Sequence, residues 1–404
     1  MTQRALYTLR YILSNTHVHS GDKLNTESKG FMTKISLVLI SVLLVAICAP
    51  MMDNADTPEL SDLPSYFSWR NIEGIDYTTG IKDQSPAPTC EAYGLCAALE
   101  TLMQYQLGKR YDPDLSETHL YFSAGGTYEA GYVNLIDAAD YLIEHGVPDE
   151  GCYPDPHRAY DYPFESLQGW QDRTVKIREW GWVPHEEEAI KTALIEHGPL
   201  IVCLYFGTDF YFYNDGIYSH ERGQIAGGHV VAMVGYDDTE RCWIMKNSWG
   251  SKWGEEGWFR LSYDADLFAN WYDRYNENDV ETGIMYISGV YGNLEPQVPR
   301  VQIETPVVFH NYYRGREFPT LFRKLPLILE AAPRILGGLQ VNVPAENTHT
   351  VEFYIDGVKM YTDTEAPFTW DLHTKTGFHT LEARAINNGT ISLDIIDFYI
   401  LMNP

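Results

Sequence analysis

Hydrophobic positions change period partway along the chain. Over Cys90–Tyr105, the residues Tyr93, Ala97, Leu99, Leu102 and Met103 recur at spacings that place them on one buried helical face, with Thr89 as a candidate N-cap. Leu135–Glu144 and Glu186–His197 carry two further helical patterns, the second closed by Gly198-Pro199. From Leu200 onward the pattern is strand-like. Leu200–Phe206, His229–Tyr236, Cys242–Lys246 and Trp258–Tyr263 are apolar runs separated by Gly and Asp turns. Helices first and strands later predict an α+β unit over residues 64–295.

Gly292–Arg300 holds two prolines and no apolar period, so it reads as a linker, with first strands following up to residue 336. Beyond it only strands are predicted. Val351, Phe353 and Ile355 alternate before the tight turn Asp356-Gly357. Phe368–Trp370, Thr380–Ala385 and Ile391/Leu393/Ile395 continue the set. Short strands at this spacing predict an all-β sandwich over 337–404.

Composition narrows the class. Of 404 residues 45% are hydrophobic, which suits globular domains with sizeable cores. A net charge of −27 argues against nucleic acid as a partner, because phosphate binding needs a basic face. The acidic pairs Asp112/Asp114 and Asp264/Asp266 lack the ligand count of a calcium loop and read as solvated turns; no metal or cofactor is expected. None of the six cysteines has metal spacing; Cys96, Cys203 and Cys242 sit in apolar patterns as small buried hydrophobes.

Residues 1–49 read as a leader. Ile35–Ala49 is an uncharged apolar run behind Lys34, shorter than the ~20 residues a membrane span needs, so it resembles a signal-peptide core. Met32 is the expected start and cleavage is expected near Cys48–Pro50, which predicts an exported, extracellular or cell-surface protein; an uncleaved anchor is the alternative. Asn388-Gly389-Thr390 is a glycosylation sequon that fits export.

The candidate chemistry lies in three distant segments: Gln84–Cys90 (QSPAPTC), Gly228–Tyr236 (GHVVAMVGY) and Lys246–Gly250 (KNSWG). A thiol at a helix start gains from the positive dipole end, and an imidazole is the usual base for it. Cys90, His229 and Asn247 occur in the order in which papain-like cysteine peptidases lay out their site, and the resemblance spans about Tyr66–Tyr291. It implies a helical lobe and a β-barrel lobe with a cleft between them. It also implies Cys90 as nucleophile, His229 as base then acid, Asn247 as orienter and Trp249 covering the His–Asn hydrogen bond. Gln84, six residues before Cys90, would join the Cys90 backbone N–H in an oxyanion hole. Gly131, Tyr132, Gly228, Trp249 and Cys203 fall near the substrate cleft by rough alignment, whereas the aromatic run Phe210–Tyr213 reads first as a core strand, with lining the cleft as the alternative. Such enzymes take protein or peptide substrates and use no cofactor. The family's usual disulfide framework is expected to be absent, with a bridge from Cys152 left open. With about fifteen residues between Pro50 and the catalytic unit, no long inhibitory propeptide is expected. The C-terminal stretch from Gly337 resembles immunoglobulin-like modules appended to secreted microbial proteins, which would provide cell-surface contact.

The nucleophile segment departs from the family's usual Cys-Gly-Ser/Ala-Cys-Trp/Tyr run. Pro88 stands for the glycine and Glu91 for the aromatic, and a carboxylate facing the thiol would oppose its ionisation. The alternative to a working peptidase is therefore a catalytically weakened papain-like binding or adhesion protein.

Overall fold

In the computed structural model, residues 63–156, 166–270, 282–295, 298–307, 310–318 and 332–402 are described. The leader and cleavage site expected from the sequence lie outside them. Among the described residues four helices flank the sheet of the N-terminal unit: α1 (Cys90–Leu107), α2 (Glu117–Ser123) and α3 (Leu135–Glu144) on one face and α4 (Glu187–Glu196) on the other. Helix α1 is buried on nearly every side, more than the single face its spacing predicts. It lies between α2 and α3 on one side and the sheet on the other. Gly108, at φ 64°, ends it, its N–H and that of Lys109 returning to the Tyr105 and Gln104 carbonyls. The short helix α2 has no counterpart in the sequence pattern. Ser116 caps it by accepting the His119 N–H.

The strands of this unit are β1 (Tyr66–Ser68), β2 (Val175–Lys176), β3 (Glu179–Trp182), β4 (Leu200–Gly207), β5 (Ile217–Tyr218), β6 (Ile225–Asp237), β7 (Cys242–Lys246), β8 (Trp258–Ser262), β9 (Ile284–Ser288) and β10 (Tyr291–Gly292). Eight of them form one sheet in the order β3-β9-β4-β6-β7-β8-β5, with β1 added on β6; β2 and β10 pair separately. Period-two alternation divides the apolar residues of this sheet between two cores. Ile201, Cys203 and Val230 face the helical core with α1, whereas Leu200, Val202, Leu204, Val231 and Met233 face a second core roofed by α4.

The C-terminal unit contains β11 (Arg300–Val301), β12 (Asn311–Tyr313), β13 (Arg316–Phe318), β14 (Arg334–Leu336), β15 (Leu339–Val343), β16 (Ala345–Glu346), β17 (Thr350–Ile355), β18 (Val358–Asp363), β19 (Phe368–Leu372), β20 (Gly377–Asn387) and β21 (Thr390–Met402). A seven-stranded sheet, β13-β12-β14-β21-β20-β17-β18, packs on the pair β15-β19 around Val341, Phe353, Leu381 and Phe398. Asp356 and Gly357 take φ of 50° and 76°, the left-handed values that a two-residue hairpin requires.

Arg173 joins the sandwich to the helical lobe. Its Nε donates to Asp149 (2.7 Å), while Nη1 and Nη2 donate to the Ile391 carbonyl (2.7 Å) and Ser392 Oγ (2.9 Å) of β21. Gly151 lies so close to this strand that a Cβ there would meet the Ser392 Cβ at 2.7 Å.

Candidate active site

The site forms where β6, the loop after β7 and the loop before α1 converge. His229 lies on β6 and shares the face of Val231 and Met233, which directs its ring toward the second core. Strand β7 ends at Lys246, and the next residue, Asn247, places its Oδ1 2.8 Å from His229 Nε2. The Ser248 backbone N–H donates to the same oxygen (2.8 Å). That second donor fixes the amide orientation, so His229 Nε2 carries the proton and Nδ1 is left as the acceptor. Both side chains are buried. The Trp249 ring packs on the imidazole with centroids 4.8 Å apart and is backed by Phe206, Phe210 and Trp253. Water is thus kept from the His–Asn bond, and burial holds the His229 pKa down at about 4.

Gln84 comes from a loop stitched to the same segment. Its backbone N–H donates to the Ser248 carbonyl (2.9 Å), and Asp83 bridges to Trp249. Its side chain is held at both ends: Oε1 accepts from Ser248 Oγ (2.6 Å), and Nε2 donates one proton to the Ala87 carbonyl (2.9 Å). One Nε2 proton remains for a developing oxyanion.

Cys90 is the first residue of α1 and is partly exposed. The helix meets β6 at Val230, where a Cβ on Gly94 would lie 3.0 Å from Val230 Cγ1. The Val230 backbone N–H is directed at the thiol and favours its ionisation. Thr89 stands at the N-cap position with φ −111° and ψ 20°, away from the extended geometry that side-chain capping needs, and its hydroxyl makes no cap bond. The capping expected of Thr89 is therefore corrected; only its carbonyl serves the helix, accepting from Ala92 and Tyr93. The thiol itself is not depressed by its helix-terminal position. Burial first, then the neighbouring Glu91 charge, push it well above its ordinary value. Glu91 is 3% exposed, and burial raises its carboxyl to about 7.

The remaining sequence candidates lie around this centre. Gly131, at φ 73°, and Tyr132, 53% exposed, sit in the loop before α3, and Val133 follows as a buried residue. Gly228 precedes His229 on β6 with open space over its Cα. Cys203 is buried on β4 near Glu91. Phe210–Tyr213 is not a core strand. Phe210–Phe212 forms a 3-10 turn in which only Phe210 is buried. Tyr211 stacks on Trp249 (5.5 Å, 14°) and Phe212 is 86% exposed, so this turn borders the ring that covers His229. The sequence signal for it was the Thr208-Asp209 pair, which breaks strand β4 just before the run.

A buried ionic network adjoins the site and has no signature in the sequence pattern. Lys82 binds Glu100 (2.9 Å), Glu117 (2.7 Å) and Asp114 (2.7 Å). Lys246, the residue before Asn247, reaches the same cluster through Thr79 (2.8 Å), whose hydroxyl donates to Glu100 (2.6 Å). These residues tie the helical lobe to the strand that delivers Asn247. The five cysteines among the described residues, Cys90, Cys96, Cys152, Cys203 and Cys242, are free thiols.

This arrangement holds the His229 imidazole on Asn247 with Nδ1 as the acceptor and leaves one Gln84 amide proton uncommitted. Comparison with known proteins identifies the family. Residues 63–286 match the papain family cysteine protease model, and residues 339–383 match a bacterial Ig domain. The chain is 29% identical over 225 residues to cysteine endopeptidase Rep1 of Oryza sativa subsp. japonica, covering 54% of this chain and 58% of that one. It is 30% identical over 221 residues to procathepsin L of Felis catus (52% and 64%) and 28% identical over 230 residues to cysteine proteinase 2 of Entamoeba histolytica (54% and 71%). The chain thus spans a little over half the length of the rice relative. With a matched region covering more than half of its residues and the Cys, His, Asn and Gln groups arranged on the two lobes, the chain belongs to the papain family of cysteine proteases.

Proposed function

We propose that this protein is an exported cysteine peptidase that cleaves peptide bonds through a Cys90 thioester. The observation that carries this reading is the His229 Nε2–Asn247 Oδ1 bond of 2.8 Å beneath Trp249, which leaves Nδ1 free as the base. Cys90 Sγ attacks the scissile carbonyl carbon as its proton passes to His229 Nδ1. The carbonyl oxygen becomes an oxyanion that the Gln84 amide and the Cys90 backbone N–H stabilise. Collapse of the intermediate breaks the C–N bond, and His229 returns the proton to the leaving amine. Water then attacks the thioester with His229 again as base, releasing the carboxylate product and the thiol. Tyr132, Gly131, Gly228 and Trp249 border the substrate channel in this reading, and the immunoglobulin-like unit holds the enzyme at a surface.

The test is hydrolysis of an unfolded protein by the chain from Pro50 onward. Loss of turnover in both Cys90→Ala and His229→Ala is expected; undiminished turnover in either sinks the proposal. A folded wild-type protein that binds peptides but never cleaves them would favour the binding role.

A further inference from the structure

Glu91 is a carboxylic acid placed beside the nucleophile and sealed from solvent. It is 3% exposed and follows Cys90 directly on α1. Its carboxyl lies against the Cys90 thiol and receives two backbone N–H groups, its own and that of Val133. Its Oε2 has no hydrogen-bond partner. The titratable groups that face it are the thiols of Cys90 on α1 and Cys203 on β4. The loop before α3 contributes only the Val133 N–H, and β6 packs here through Val230. Among the described residues no lysine, arginine or histidine side chain offsets its charge. A buried carboxylate with one oxygen bare is costly, so the neutral acid is the favoured form over a wide range.

We propose, on the peptidase reading above, that Glu91 is the pH gate on the nucleophile: while its carboxyl holds a proton, Cys90 can pass its own to His229, and once the carboxylate ionises that transfer is suppressed. The physical reason is direct. Two negative charges on adjacent buried side chains repel, so an ionised Glu91 raises the cost of the thiolate, whereas the protonated acid adds no charge and can donate to the sulfur. Burial sets the changeover near neutrality, with the carboxyl at about 7. The sign follows. Below that value the Glu91 charge no longer opposes the thiolate–imidazolium pair, which then meets only the cost of burial, and above it the charge adds to that cost, so the protein works best on the acid side. Glu91 acts through Cys90 and is a positioning residue; it takes no part in bond making.

The experiment is the second-order rate of Cys90 alkylation by iodoacetamide from pH 5 to 8, with the label located by mass spectrometry, in wild type and Glu91→Gln. Alkylation reads the thiol directly and needs no substrate. The ratio of the wild-type rate to the variant rate is expected to stay near its pH 5 value through pH 6 and to fall roughly tenfold by pH 8, the effect of about one pKa unit on the thiol. Should Glu91→Gln fail to fold, the neutral Glu91→Leu carries the same comparison. A reactive Cys90 with a ratio flat across the range overturns the gate and leaves the peptidase reading standing. A Cys90 inert at every pH in both proteins overturns both.

Discussion

At the scale of single residues, catalytic competence depends on which atoms are already committed. Asn247 Oδ1 takes two donors, His229 Nε2 and the Ser248 N–H, so the imidazole has one tautomer and one free face. Gln84 is committed in the same way. Ser248 Oγ holds its oxygen at 2.6 Å, which fixes the amide with its nitrogen on the Ala87 carbonyl, in the loop that leads to Cys90. Gln84→Ala is therefore expected to lower kcat by ~10²–10³, the usual cost of one oxyanion donor. Ser248→Ala is expected to give a smaller loss of roughly tenfold, by freeing the Gln84 side chain. If Ser248 works through Gln84, the double variant will be no slower than Gln84→Ala alone; additive losses would show an independent role. The pairing of His229 with Asn247 was legible because each is a chemically distinctive residue in a fixed order; the Ser248 contacts that hold Asn247 and Gln84 were not. The state of the thiol was legible in part: the sequence offered both activation by the helix N-terminus and opposition from Glu91, and the burial that outweighs both is visible only in three dimensions.

Elements explain how those residues meet. Helix α1 and strand β6 were legible from period alone, and β7 runs from Cys242 to Lys246 as the pattern predicts. The aromatic turn at Phe210–Phe212 and the short helix α2 were not, because a run of three or a single two-turn helix has too few residues to establish a period. Strand β6 is also fixed at its far end. Its Gly235 passes so close to β1 that a Cβ there would lie 2.2 Å from the Phe67 carbonyl oxygen, in backbone that cannot swing away. Gly235→Ala is expected to separate β1 from β6 and to destabilise the protein by ~1–3 kcal/mol, as overpacking does. Urea denaturation checks this; an unchanged midpoint would mean that β1 does not brace the strand that carries His229.

On the scale of the whole molecule, the sandwich is held to the helical lobe by a polar clamp. Arg173 pairs with Asp149 and reaches across to Ile391 and Ser392 of β21. Sequence gives no hint of this contact, since the partners are separated by 218 and 219 positions and none is chemically unusual. The sandwich itself was legible from alternation and from the Asp356-Gly357 turn. Because hydrogen bonds to a charged group contribute about 1.5–3 kcal/mol each, Arg173→Ala is expected to uncouple the two units. Calorimetry is then expected to resolve two unfolding transitions in the variant and one cooperative transition in wild type. A single transition in the variant would mean that apolar contacts elsewhere hold the units together.

The central claim is that Cys90 and His229 act as one nucleophilic pair. Its most direct test is covalent labelling of the chain from Pro50 onward by an epoxide peptidyl probe near pH 6, with the labelled residue found by mass spectrometry. The account predicts stoichiometric modification of Cys90 in wild type and its loss in His229→Ala, with the other cysteines unmodified in both. Modification of Cys90 at the same rate in His229→Ala, or none in wild type, would contradict it.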